Sequence, residues 1–168
     1  GVAKPTGTAQ ITLYGDSRVK LWDTAALTRL GSVNNLGRGG QTSGQLLLQL
    51  QTEIPRPATW GIVQIGINDI HPIGALPRYR EAILGNLQHN LAEIVQLLLR
   101  RCDYVVVTTI VPPGRVPLER RLIWDPDTLA YVAEMNELIR SLARTDQRIR
   151  VLDASGKELV LADDNFAS

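Results

Sequence analysis

Five short apolar segments, alternating with stretches of helical spacing, constrain this chain more than any other feature. Residues 11–14, 33–36, 60–65, 104–111 and 149–152 are short, apolar and β-prone, and several run directly into glycine or proline. The almost unbroken apolar character of 60–65 suits a strand buried on both faces. Strands that alternate with helices assemble as right-handed βαβ units. The sequence therefore predicts an α/β fold, a flavodoxin-like three-layer α/β/α sandwich around a five-stranded parallel sheet. In such sheets ligands bind beyond the carboxyl ends of the strands, where strand order reverses.

The helical stretches follow from the same reading. Residues 19–30 carry Leu21, Ala25 and Leu27 with Trp22 between them, which suits a short helix stopped by Gly31. Thr42 or Ser43 caps a second helix with Leu46, Leu47, Leu48 and Leu50, ended by Pro55 and Pro57. Over 79–101, Ile83, Leu87, Leu91, Ile94 and Leu98 recur at steps of 4, 4, 3 and 4, the spacing of one helix face. Asp127 caps a helix reaching about residue 144, with Leu129, Val132, Met135 or Asn136, Ile139, and Leu142 or Ala143 facing inward. Residues 1–9 read as a tail and 10–168 as one domain, because 168 residues are too few for two domains of ordinary size.

Composition excludes several classes. With 18 basic against 17 acidic residues the net charge is +1, too weak a field to recruit nucleic acid. Cys102 stands alone and the two histidines are far apart, so neither a disulfide nor a metal site is expected. The sequence shows no leader-like apolar segment at its start and no run near the ~20 apolar residues that span a bilayer. No cofactor is expected, since neither a Walker loop nor GxGxxG opens the first helix. Oligomeric state and compartment are not legible.

Chemistry is legible at three glycine-containing segments, each after one of the first three strands: Gly15-Asp16-Ser17, Gly39-Gly40-Gln41-Thr42 and Gly66-Ile67-Asn68-Asp69. A serine on a strand-to-helix turn exposes its hydroxyl beside a helix N-terminus, which favours negative charge. Acyl transfer also needs donors for the oxyanion of the tetrahedral intermediate. The Gly40 N–H, the Asn68 amide and the N–H of Ser17 itself are candidates.

YGDS ending at Ser17, NLGRGGQT ending at Thr42 and IGIND ending at Asp69 resemble, in order, the first three motif blocks of the SGNH (GDSL-like) hydrolases. The resemblance implies Ser17 as nucleophile and oxyanion donor, Gly40 as backbone donor and Asn68 as side-chain donor. Gly40 is preferred to Gly39 because the family's glycine directly precedes a polar residue and threonine, here Gln41-Thr42. Asp16 then shapes the turn and Asp69 bonds backbone amides beside the site. The implied activity is hydrolysis of small acyl esters, such as acetylated sugars or short-chain lipid esters, through an acyl-enzyme. Arg18 departs from the family's usual aliphatic residue and is expected to face solvent, or else the cleft.

The resemblance also implies a C-terminal Asp-x-x-His supplying the base, and none occurs in the 168 residues. Asp163 and Asp164 lack the spacing, so the chain is expected to stop before its dyad. His89 is expected at the surface, whereas His71, two residues after Asp69, is a candidate cleft or supporting residue. An SGNH-like binding domain without a base and a carbohydrate O-acyltransferase remain alternatives. The segment 112–125, with Trp124, is the expected substrate-selecting loop. Exported members are common in the family, which leaves the compartment open.

Overall fold

A computed structural model describes residues 9–53, 56–112 and 125–154. Five strands, β1 (Ala9–Gly15), β2 (Gly31–Asn35), β3 (Ala58–Gln64), β4 (Cys102–Thr108) and β5 (Ile149–Leu152), form one sheet in the order β2-β1-β3-β4-β5. Every pairing is parallel. β1 begins at Ala9, one residue inside the expected tail.

Alternation of side chains across the pleat explains why the strands read as apolar runs. Tyr14, Val63, Val105 and Val107 join one core, packed by α3 (Ser43–Thr52), α5 (Arg80–Leu99) and α6 (Thr128–Leu142). Ile11, Leu13, Ile62 and Val106 point the other way, against Val19 of α1 (Ser17–Lys20) and Leu27 of α2 (Ala25–Thr28). The fold is thus the expected three-layer sandwich, with unequal layers. α4 (Ile67–Ile70) continues into two 3-10 turns, His71–Gly74 and Pro77–Tyr79, before α5.

Several expected elements shift for local reasons. The single helix over 19–30 is two one-turn helices: the Asp23 carboxylate accepts the Ala25 N–H at 2.9 Å and restarts the chain, which buries Trp22 and leaves Leu21 79% exposed. The α5 stripe begins at Leu84, with Ile83 only half-buried. Leu48 and Leu129 face solvent at 60% and 64% exposure. Asp127 makes no side-chain cap; the Asp125 carboxylate instead accepts the Asp127 N–H at 2.8 Å. β4 ends at Thr108, because Ile110 exchanges its backbone bonds with the buried Asn136 amide, N–H to Oδ1 at 2.6 Å and carbonyl to Nδ2 at 3.0 Å. Thr42 does cap α3, in a reciprocal box with Gln45.

Leu87 is fully buried between α5 and the sheet, whereas Leu48 lies on the solvent side of α3. Leu87→Ala is expected to cost about 2–5 kcal/mol in urea unfolding, and Leu48→Ala no more than about 0.5 kcal/mol. Equal losses would contradict the packing of α5.

Candidate functional site

The chain reverses strand order between β1 and β3, and the loops after β1, β2 and β3 gather at that carboxyl edge. Gly15 closes β1 with φ +149°, and a Cβ there would lie 2.0 Å from the Gln64 carbonyl oxygen. Glycine alone fits. Asp16 then caps α1, its buried carboxylate accepting the Arg18 N–H at 2.9 Å. Ser17, the first residue of α1, is exposed. Neither its hydroxyl nor its N–H makes a hydrogen bond among the described residues. Arg18 faces neither open solvent nor the cleft alone. Half-buried, its guanidinium donates from Nη1 to the Val111 carbonyl and from Nη2 to the Pro112 carbonyl at 3.1 Å.

The second loop is suspended from the first, with the Arg38 N–H bonded to the Gly15 carbonyl at 2.8 Å. Asn35 braces it, Nδ2 donating to the Val19 carbonyl at 2.8 Å and Oδ1 accepting the Gly37 N–H at 2.9 Å. Gly40 is exposed in the left-handed region at φ +70°, and its N–H is uncommitted among the described residues. From the third loop, Asn68 Nδ2 donates to the Gln41 carbonyl at 3.0 Å, leaving its second N–H free of hydrogen bonds among the described residues. The Asp69 carboxylate accepts the Ser43 N–H at 2.9 Å and the Ser43 hydroxyl at 2.6 Å, while Asn90 Nδ2 donates to that hydroxyl at 3.0 Å. Ser17, Gly40 and Asn68 therefore sit on three neighbouring strand ends whose loops are hydrogen-bonded to one another.

Burial raises the pKa of Asp16 against the pull of the Arg18 N–H and the Arg18 charge. It likewise raises that of Asp69, opposed by the Ser43 bonds and assisted by the negative charge of Asp16. Burial lowers the Arg18 pKa, and the Asp16 carboxylate opposes that. His71 is half-buried at the junction of α4 and the following 3-10 turn, with no hydrogen bond to Ser17. His89 is exposed on α5. No cluster of three or more His, Cys, Asp or Glu that could hold a metal occurs among the described residues. No described helix is long and apolar enough to cross a membrane. Asp163, Asp164 and nearly all of 112–125 lie outside the described residues.

Sequence reasoning passed over Gln49 and Asn90, and read Ser43 only as an alternative helix cap. The one signal of Gln49 and Asn90 was a polar side chain on a helix rich in leucines.

The sequence matches the GDSL-like Lipase/Acylhydrolase family over residues 12–167. The chain belongs to that family. Among solved structures, this GDSL-family hydrolase is similar to a GDSL-like lipase from Bacteroides thetaiotaomicron, at 20% identity and a TM-score of 0.66, over 90% of this chain and 72% of that one. It is also similar to LAE5, an alpha/beta hydrolase from the metagenome of Lake Arreo, Spain, at 18% identity and a TM-score of 0.65, over 88% and 78%. A mutant of Axe2, an acetyl-xylooligosaccharide esterase from Geobacillus stearothermophilus, aligns at 14% identity and a TM-score of 0.65, over 89% and 78%. At these identities the likeness establishes the fold. No curated protein matches the sequence.

The raised pKa of Asp16 gives the GDSL-family chain a pH signature. A carboxyl whose folded pKa exceeds the ordinary value near ~3.9 contributes stability that is complete below that value and lost as pH rises through the folded pKa. Asp16→Asn retains a capping side chain without the charge. The stability of the native chain relative to this variant is expected to fall as pH rises from about 3.9, read by urea unfolding across a pH series. A rise over the same range would contradict the desolvation of Asp16.

Proposed function

We propose that this chain is a serine ester hydrolase acting on small acyl esters through an acyl-enzyme. The observation that carries the reading is that the Ser17 hydroxyl and three N–H groups, those of Ser17, Gly40 and Asn68, are uncommitted among the described residues and lie on adjoining strand ends. Ser17 Oγ attacks the ester carbonyl carbon as its proton passes to a base, and the carbonyl oxygen becomes an oxyanion facing the three donors. Collapse expels the alcohol, which takes the proton. Water then repeats the sequence and releases the acid.

Asp16 and Asp69 serve this scheme as positioning residues. Asp16 fixes the start of α1 and so the direction of Ser17, and Asp69 fixes the start of α3 behind Gly40. His71 supports the cleft wall. The scheme assigns the base to none of the residues named here, as the 168 residues contain no Asp-x-x-His. The likeness to an acetyl-xylooligosaccharide esterase and to a GDSL-like lipase supports acetylated carbohydrates or short acyl lipids as substrates.

A second reading of the same loops is an SGNH-like domain that holds an acyl ester without turnover. One experiment separates the two. Under the esterase reading, a fluorophosphonate adds one adduct by intact mass, and Ser17→Ala removes it. An unmodified native chain would leave the binding reading. With turnover in hand, Asn68→Ala is expected to lower kcat by about 10²–10³. It should cost only about 1 kcal/mol of stability, from the lost bond to Gln41. An unchanged kcat would remove Asn68 from the oxyanion site.

A further inference from the structure

The turn from Arg38 to Gln41, which carries Gly40, has little to hold it in place by itself. Its internal bond, Gln41 N–H to the Arg38 carbonyl, is long at 3.3 Å. Its two middle residues are glycines with no heavy atom within 4 Å of their Cβ positions. Such a turn samples several conformations unless its flanks are anchored. Both flanks are anchored by one helix. At the far flank, the buried Gln41 side chain donates from Nε2 to Gln49 Oε1 at 2.8 Å. Gln49 Nε2 donates to Glu53 Oε2 at 3.2 Å, on the residue that caps the end of α3. At the near flank, Arg38 Nη2 donates to Glu53 Oε1 at 2.8 Å. The chain Gln41–Gln49–Glu53–Arg38 thus starts and ends on the two residues that bracket the glycines.

We infer that Gln49 and Glu53 are positioning residues for the oxyanion site, a staple that sets the Gly40 N–H and, through the Gln41 carbonyl, the Asn68 amide. The inference rests on the esterase reading for its catalytic meaning. Direction of donation makes the staple specific. Gln41 Oε1 is buried without a partner, so the Gln49 bond alone sets how that amide is turned. The exposed Arg38–Glu53 ion pair is a weak interaction in itself. It gains effect by restraining a carboxylate already committed to Gln49. The Gln41 carbonyl that receives Asn68 belongs to the same residue as the stapled amide, so a shift of one moves the other.

Gln49→Met keeps most of the side-chain volume and removes both amide bonds. Its kcat on a small acyl ester is expected to fall by about tenfold or more with KM within about twofold, the pattern of a misplaced transition-state contact. Independently of turnover, amide hydrogen exchange at Arg38 and Gln41, whose N–H groups are bonded in the native turn, should accelerate in Gln49→Met while the amides of α5 stay as they were. Unchanged exchange at the turn in Gln49→Met would overturn the inference, as would an unchanged kcat. If the native chain takes up no fluorophosphonate, the esterase reading fails, and the exchange data still decide whether the staple holds the turn.

Discussion

The arrangement at the carboxyl edge depends on how closely β1 and β3 approach at Gly15. The space beside its Cα is already filled by the Gln64 carbonyl and by Val19, and its φ of +149° suits no side chain. A strand ending in such a constriction has to turn at once. Asp16 takes the turn inward as a cap and Ser17 emerges outward. The Gly15 carbonyl, left without a further strand partner, receives the Arg38 N–H and brings the β2 loop alongside. The nucleophile candidate and the glycine turn thus share one backbone residue as their support.

The edge is built at some cost in solvation. Asp16 is 1% exposed, and the Asp69 carboxylate is drawn from water by the same packing that holds Ser43. Two carboxylates that repel each other across a partly dry site are poor contributors to stability. What they provide is direction: each accepts backbone N–H groups at the start of a helix, so each fixes where one loop stops and a helix begins. The apolar cores above and below the sheet supply the stability that tolerates this.

Fold and strand ends were legible because period and punctuation are local properties. The strands at β1, β3 and β5, the box at Thr42 and the long stripe of α5 all follow from residues within a few positions of one another. The break between α1 and α2 escaped notice because Asp23 competes with the helix through its own side chain, and an apolar count weighs only Trp22 and Leu21. The end of β4 was misplaced because the decision is made by Asn136, which is distant in sequence and satisfies Ile110 in place of a neighbouring strand. At the site, Ser17, Gly40 and Asn68 were legible as motif positions. Gln49 was not, since a polar residue among leucines carries no sign of which loop it will reach.

Arg18 ties the residue after Ser17 to the backbone that leaves β4. Because a guanidinium is planar and rigid at its tip, two bonds from it to successive carbonyls hinder rotation as well as separation. Two strands that the sheet does not pair, β1 and β4, are thereby linked beyond their ends, like a brace laid across the intervening β3.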